Sequence, residues 1–280
     1  MDNLYYNISD HMEKTKVLFV SQEIMPYLPE SEMSKVGRHL PQGIQEKGKE
    51  IRTFMPRYGC INERRNQLHE VIRLSGMNLI IDDTDHPLII KVASIQAARM
   101  QVYFIDNDDY FHRKKVLLED DGEGFADNDE RAIFFARGVL ETVKKLRWAP
   151  DVVHCQGWFT GLLPLYLKKA FNEDPLFTET KIVFSMYNDE FPTTFSKDFA
   201  AKSLIEGVNS DDVKILENAD YLAINKLAID WSDALIMGSE SINEDLLAYA
   251  KASGKTFMDY KNGDEYVQAY SDLYDSLIAE

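Results

Sequence analysis

The sequence predicts an α/β fold: a doubly wound, mostly parallel sheet with helices on both faces and a small β-meander. Two observations support this prediction. Short apolar runs rich in β-branched residues alternate with longer segments of helical periodicity over most of the 280 residues. Between residues 68 and 111, alternating apolar and polar positions recur in runs joined by polar breaks, which favours antiparallel strands.

The core strands are predicted first, because each is a short apolar run followed by a helix or turn signal. The expected strands are KVLFVSQ (16–22), IRTFMP (51–56), DVVHCQ (151–156), KIVFSMY (181–187) and DALIMGS (233–239).

Helices are predicted between these strands. Apolar residues recur at helical spacing from Met33 to Ile44, and Gly48 stands where that helix would stop. Residues 127–146 form the clearest helix, with acids in the first turn and lysines in the last, as the helix dipole favours. Further helices are expected at 158–171, within 196–231, at 241–253 and at 263–280.

The composition excludes several classes of protein. A formal net charge of -16, from 47 acidic and 31 basic residues, argues against nucleic acid and anionic membrane surfaces as partners. Cys60 and Cys155 lie far apart, which predicts neither a disulfide framework nor a zinc site. The start of the sequence lacks the pattern of a signal peptide, so a cytoplasmic protein without metal or cofactor is expected.

Several motifs occur in the serial order of one known family. VSQEIMPYLPESEMSKVGRHLP (20–41) resembles the opening of the N-terminal domain of bacterial glycogen and plant starch synthases, which are retaining glycosyltransferases with two Rossmann-like domains. The matching positions there are Glu23, Pro26, Tyr27, Gly37, Leu40 and Pro41, and the later matching segments are 55–59, 102–111, 127–154, 157–168 and 181–188.

The resemblance implies the domain organisation. Residues 1–15 are interpreted as a polar leader, 16–240 as a starch-synthase-like N-terminal Rossmann-like domain, and 241–280 as helices that pack back onto the same domain. The sequence ends soon after DALIMGS, so the family's second Rossmann-like domain is not expected.

The turn that meets the donor diphosphate in the family is altered here. The family's Lys-Thr-Gly-Gly is replaced by Pro29, Glu30, Ser31 and Glu32. Glycine allows close backbone approach to an anion, which serine and glutamate resist. A carboxylate about 4 Å from a phosphate adds repulsion of order 1 to 4 kcal/mol, and loss of the lysine removes a charge-assisted hydrogen bond worth roughly 1.5 to 3 kcal/mol.

A second motif of the family is also altered. Its His-x-His-Asp-Trp-His reads HCQGWF here, and its His-Asn on the next strand is Tyr-Asn. The replaced positions are Gln156, Gly157, Phe159 and Tyr187. The crevice positions that still match the family are Glu23, Tyr27, His154, Trp158 and Asn188, and no catalytic residue is assigned.

Other interpretations of these residues remain open. His154, inside an apolar strand, is better explained as a satisfied core residue than as a working one. Glu23 fits a ligand contact and a capping or ion-pair role about equally well. Tyr260, Tyr266, Tyr270 and Tyr274 resemble a sugar-stacking platform, but helical spacing favours core packing for most of them. The acids of LEDDGEGFADNDE (118–130) lack calcium-loop spacing and favour a solvated loop.

The sequence suggests three hypotheses about the function of the protein. The leading hypothesis is a stand-alone synthase-like domain of α-glucan metabolism, catalytically impaired, with a binding or regulatory role. The rivals are an ADP-glucose-dependent α-1,4-glucan glucosyltransferase completed by a partner chain, and a carbohydrate-binding module. ADP-glucose or α-glucan is the candidate ligand. An apolar, exposed crevice around Tyr27, Met33, Trp158, Phe159 and Tyr187 is expected, covered by the 241–280 helices or by a homo-oligomer or protein partner.

Overall fold

One sheet of ten strands organises the part of the chain that the structure, a computed structural model, describes: residues 13–263 and 265–279. The strands are β1 (Lys16–Ser21), β2 (Glu50–Pro56), β3 (His69–Glu70), β4 (Met77–Ile81), β5 (Thr84–Ile95), β6 (Met100–Asp106), β7 (Val152–Gln156), β8 (Lys181–Met186), β9 (Ala234–Met237) and β10 (Thr256–Met258).

The strand order is β10-β9-β8-β7-β1-β2-β6-β5-β3, with β4 paired to β5. All pairings from β10 through β1 and β2 to β6 are parallel, and β5 runs antiparallel to β6, β4 and β3. The five predicted core strands are therefore confirmed as neighbours in one sheet. The predicted β-meander is also confirmed, and β6 joins it to the parallel part.

Nine α-helices are formed by the described residues. They are α1 (Glu32–Glu46), α2 (Glu63–Asn66), α3 (Asp108–Phe111), α4 (Asn128–Leu146), α5 (Leu163–Lys169), α6 (Phe199–Lys202), α7 (Tyr221–Trp231), α8 (Glu244–Ala252) and α9 (Glu265–Ala279).

The helices cover both faces of the sheet. On one face, α1 and α9 bury Leu40, Tyr270 and Leu277 against the sheet residues Phe19 and Val183. On the other face, a larger apolar core includes residues of α4, α5 and α7. Burial of apolar surface on both sides is the main stabilising contribution to such a layered fold. The doubly wound arrangement predicted from the sequence is confirmed.

Two local predictions were wrong. Residues 158–171 do not form one helix: a 3-10 turn spans Trp158–Thr160 and α5 begins only at Leu163. Pro164 in the first turn of α5 lacks the N–H group that a continuous helix needs at that point. Strand β10 was missed, because its three residues are too few to show a period, and it extends the sheet beside β9.

Other sequence predictions concern the chain's ends and its cysteines. Most of the predicted leader, residues 1–12, lies outside the described residues. Cys60 is exposed, Cys155 is buried, and both are free thiols. None of the described helices is long and apolar enough to cross a membrane.

Candidate functional site

A cavity of about 430 Å³ opens at the carboxyl ends of the central parallel strands. In an open parallel α/β sheet, ligands bind in the crevice at this edge. Residues just after β1, β7, β8 and β9 contribute to its wall, together with the start of α1 and a loop at 116–118. The lining side chains include Gln22, Glu23, Ser31, Glu32, Met33, Leu118, Trp158, Tyr187, Asn188, Asp189, Glu190, Phe191 and Ser239.

The turn between β1 and α1 is held by side-chain hydrogen bonds. Ser31 is the N-cap of α1 and forms a capping box with Ser34. The Ser31 hydroxyl accepts from the Ser34 backbone N–H at 3.0 Å and donates to Oε2 of Glu23 at 2.7 Å. Capping by serine satisfies an N–H group that a bound anion would otherwise contact at a helix N-terminus. The turn between β1 and α1 is therefore an ordered helix cap, and Glu23 faces the cavity beside it.

Asp189 lies at the base of the cavity, directly beyond β8. The hydroxyl of Tyr221 donates to Oδ1 of Asp189 at 2.8 Å, and the backbone N–H of Trp158 lies 3.4 Å from Oδ2. Burial raises the pKa of Asp189 to about 7, although these two hydrogen bonds favour the ionised form. Asp189 can therefore hold or release a proton near neutral pH.

The cavity is acidic. Four carboxylates line it, from Glu23, Glu32, Asp189 and Glu190, and among the described residues no lysine or arginine does. None of the four has an ion-pair partner in the described part of the chain. The nearby Glu30 instead pairs with Lys35 at 2.5 Å. The electrostatic potential of this cavity therefore opposes an anionic ligand.

The aromatic wall of the cavity consists of buried rings. Trp158 is only 2% exposed and packs against Phe191 and Phe195, with ring centroids 4.7 and 5.6 Å away. Gly157 precedes it with φ of +88°, a left-handed conformation that favours glycine. A Cβ atom there would lie 2.7 Å from Oε1 of Gln22, so the site is shaped around a residue without a side chain.

The structure places the sequence-predicted residues in two groups. The predicted positions that line the cavity are Glu23, Ser31, Glu32, Trp158, Tyr187 and Asn188. Gly157 contributes to the shape of the cavity, because it lies close to the lining residues Gln22 and Met33. The predicted positions that do not line it are Tyr27, Pro29, Glu30, His154, Gln156 and Phe159.

His154 is a core residue, as the favoured interpretation of the sequence stated, and its inclusion among crevice positions was wrong. Its ring nitrogens lie 2.6 Å from the hydroxyls of Tyr274 and Ser185, and its side chain is fully buried. Burial lowers the pKa of His154 to about 3, so the ring is neutral at physiological pH. The side chain contacts α9 because it projects from the face of the sheet, whereas the cavity lies beyond the strand end.

Tyr27 and Phe159 also lie inside the protein. Tyr27 packs on Phe104, with ring centroids 4.8 Å apart. Phe159 packs against Tyr58 and Phe135. Phe159, at the position where the resemblance implies a histidine, is therefore a core ring.

The expectation of an exposed apolar crevice was wrong. The side chains expected to face solvent are all less than 9% exposed: Tyr27, Met33, Trp158, Phe159 and Tyr187. Trp158 is covered by Phe191 and Phe195 of the loop after β8. Tyr27 and Phe159 are covered by core rings elsewhere in the protein. The described chain therefore covers most of this apolar surface itself.

The tyrosines of the C-terminal region also divide into two groups. Tyr270 and Tyr274 are buried core residues, as helical spacing predicted. Tyr260 and Tyr266 are half-buried and border a groove between α1 and α9.

Sequence reasoning missed Gln22, Ser239, the run of Asp189, Glu190 and Phe191, and the loop at 116–118. The acidic pair carried a usable signal, because it directly follows a predicted parallel strand. The loop carried none, since it reaches the cavity only through tertiary folding. As for metals, the described residues hold no group of three or more His, Cys, Asp or Glu placed to bind an ion.

The fold is that of a Rossmann-like glycosyltransferase. It resembles the solved catalytic domain of starch synthase IV from Arabidopsis thaliana, bound to ADP and acarbose, with a TM-score of 0.73 at 18% identity. The match covers 89% of this chain and 52% of the plant chain.

The profile of the starch synthase catalytic domain matches residues 16–257, and the chain belongs to this family. Glycogen synthases of Chlorobium limicola and Chlorobaculum tepidum are each 38% identical to it, over 174 and 177 residues. Each match covers 62% of this chain and 36% of the relative, so the chain spans about a third of the length of these relatives.

Proposed function

We propose that this chain is a starch-synthase-like N-terminal domain of cytoplasmic α-glucan metabolism whose crevice does not accept a nucleotide-diphosphate sugar. In this proposal, residues 16–240 form the domain and the helices of 241–280 complete it. The role is binding or regulation, with α-glucan as the candidate ligand. The single observation that carries the proposal is the charge of the cavity: the carboxylates of Glu23, Glu32 and Glu190 beside a partly protonated Asp189 and, among the described residues, no lining cation.

The physical argument concerns the diphosphate. A diphosphate group needs cations or free backbone N–H groups at the strand-to-helix turn. Here Ser31 satisfies one of these N–H groups by capping, and Glu32 places a negative charge at the start of the same helix. Two carboxylates near a diphosphate in a partly enclosed cavity cost on the order of 1 to 4 kcal/mol each. A neutral glucan carries no charge and is not repelled.

A second candidate is an ADP-glucose-dependent α-1,4-glucan glucosyltransferase that gains its second Rossmann-like domain from a partner chain. What favours it is the position of the cavity, at the strand edge where ligands bind in this fold, with Glu23 and Asn188 at family-matching places. In this alternative the partner supplies the cations for the diphosphate.

Calorimetric titration with ADP, ADP-glucose and maltooligosaccharides distinguishes the candidates. We expect no saturable binding of ADP or ADP-glucose. Saturable glucan binding alone supports the proposed role and also fits a carbohydrate-binding module. If none of the three ligands binds, a role in binding another protein is favoured. Tight ADP-glucose binding contradicts the proposal and supports the enzyme.

An activity assay gives a second test. Purified protein should transfer no glucose from ADP-glucose to glycogen above a buffer blank. Turnover that is abolished by Glu23→Gln or Asn188→Ala would establish the glucosyltransferase instead. Because both residues border the cavity, loss of activity in these variants would also locate the reaction there.

A further inference from the structure

A second cavity, of about 530 Å³, lies at the opposite edge of the sheet, where β2 and β6 begin and β5 ends. The last turn of α1 closes one side through Gln45. Its polar lining consists of Gln45, Arg52, Ser94, Gln96, Arg99, Gln101 and Tyr103. No carboxylate lines it among the described residues, which is notable in a chain with a net charge of -16.

Arg52 is held in place inside this cavity. One of its terminal nitrogens, Nη1, donates to the hydroxyl of Tyr103 at 2.7 Å. The guanidinium carbon lies 5.8 Å from the ring centroid of Tyr103 and 5.2 Å from that of Trp148, within cation–π range. Nε is buried without a hydrogen-bond partner in the described structure. The guanidinium is therefore fixed, and its hydrogen-bonding capacity is only partly used.

Arg99 adds a second positive charge at the rim. It follows the short 3-10 turn Gln96–Ala98 in a left-handed conformation with φ of 50°, and its side chain is exposed. Arg99 also borders a neighbouring hollow with Glu46, but Oε1 of Glu46 accepts from Gln42 at 2.8 Å. Neither Arg52 nor Arg99 forms an ion pair with a carboxylate in the described part of the chain.

We propose that this cavity binds a phosphate monoester of a small polyhydroxylated molecule, with the phosphate held by Arg52 and Arg99. Arginine presents a planar set of donors that matches phosphate oxygens. The cavity is in the size range of small-molecule sites and is larger than a phosphate ion needs. Amide groups of Gln45, Gln96 and Gln101 can hydrogen-bond the remaining hydroxyls.

This site is separate from the acidic cavity in position and in charge. One cavity lies at the carboxyl ends of the parallel strands and the other at the amino ends of β2 and β6. The proposal therefore stands or falls independently of any role for the crevice.

The test is calorimetric titration of the full chain with inorganic phosphate, with glucose 6-phosphate and with glucose. Glucose 6-phosphate should bind more tightly than phosphate, and glucose should not bind. Arg99→Gln removes a charge-assisted contact and should weaken binding of glucose 6-phosphate about ten- to a hundredfold. Arg52→Lys keeps the charge but loses the planar donor set, and should weaken binding as well.

Arg147→Gln is the matched control, because Arg147 is also exposed, also has φ of 50°, and does not line the cavity. It should leave binding unchanged. Thermal unfolding of each variant verifies that the fold persists. The proposal is overturned if glucose 6-phosphate does not bind at millimolar concentration, if glucose binds equally well, or if the Arg147 variant loses as much affinity as the Arg99 variant.

Discussion

The hydroxyl of Ser31 donates a 2.7 Å hydrogen bond to Oε2 of Glu23, which joins the N-cap of α1 to the residue that follows β1 by two positions. The same hydroxyl accepts from the backbone of Ser34. A single serine therefore both caps the helix and orients an acid at the crevice. The resemblance of the sequence implies a diphosphate at this turn in the family, and here the Ser34 N–H group of the turn is used within the chain.

Removing charge from the crevice should strengthen binding of an anion. In the double variant Glu32→Gln/Glu190→Gln, we expect the affinity for ADP to rise about thirtyfold above the unsaturable binding expected of the parent, since two exposed carboxylates about 4 Å from a phosphate cost roughly 1 kcal/mol each. Competition titration against a fluorescent nucleotide measures this change.

The control for this experiment is Glu206→Gln/Glu217→Gln, which removes the same charge from two exposed residues that do not line the cavity. Equal gains in both double variants would show that net charge, and not the crevice, governs ADP affinity.

Asp189 should make the stability of the protein depend on pH. Its pKa of about 7 in the folded protein lies above the ordinary aspartate value of 3.8. Between these values the folded protein holds a proton that the unfolded chain releases, so this contribution to stability is lost as pH rises toward 7. Urea unfolding at pH 5 and pH 8 should show that Asp189→Asn loses less stability over this interval than the unmodified protein.

Asp82→Asn is the comparison, because Asp82 is exposed and its left-handed backbone conformation suits asparagine as well. This variant should keep the pH dependence of the parent. If Asp189→Asn also kept it, the raised pKa of Asp189 would be disproved.

Loss of the hydroxyl of Tyr274 should destabilise the fold. In Tyr274→Phe, one ring nitrogen of the fully buried His154 is left without its partner, which costs about 1 to 3 kcal/mol. Chemical denaturation gives the difference in the free energy of unfolding. Tyr249→Phe, which removes a surface hydrogen bond to Asp230, should cost about 0.5 kcal/mol or less. Similar costs for the two variants would contradict the importance of the buried contact.

Gly157 should not tolerate a side chain. The φ of +88° strains any other residue by about 1 to 2 kcal/mol, and a Cβ atom 2.8 Å from Cε of Met33 adds an overpacking cost of about 1 to 3 kcal/mol. Thermal unfolding of Gly157→Ala should therefore show a clear loss of stability.

Gly124→Ala is the control for Gly157. Its backbone φ is not in the left-handed region, and the nearest atom to a Cβ there is 3.4 Å away. The melting temperature of this variant should stay close to that of the parent. A loss as large as that of Gly157→Ala would refute the steric argument.

Local patterns predicted the sheet and most of its helices, because strand length, helical spacing and caps are properties of neighbouring residues. The helix from residue 127 to Leu146 was found within one residue of its observed start at Asn128. Helical spacing failed for the predicted helix at 158–171, because Pro164 interrupts the hydrogen bonding near the start of α5.

The candidate site was predicted less completely. The positions matched to the family located the turn and the edge of the sheet, but not the burial of Trp158 under Phe191 and Phe195. Those rings come from a loop some thirty residues downstream, and no local period records their approach. The burial of His154 could not be predicted from local periodicity either, because its partner Tyr274 is 120 positions away in sequence.

The contact between His154 and α9 also has a meaning for biosynthesis. During synthesis, β7 emerges from the ribosome well before residues 265–279 of α9. Until α9 has emerged, the imidazole of His154 and the apolar face around Phe19 lack the contacts that α9 makes with them. Pairing over such a sequence separation slows folding, and exposed apolar surface in a nascent chain is prone to aggregate. Completion of this face of the protein therefore waits for α9.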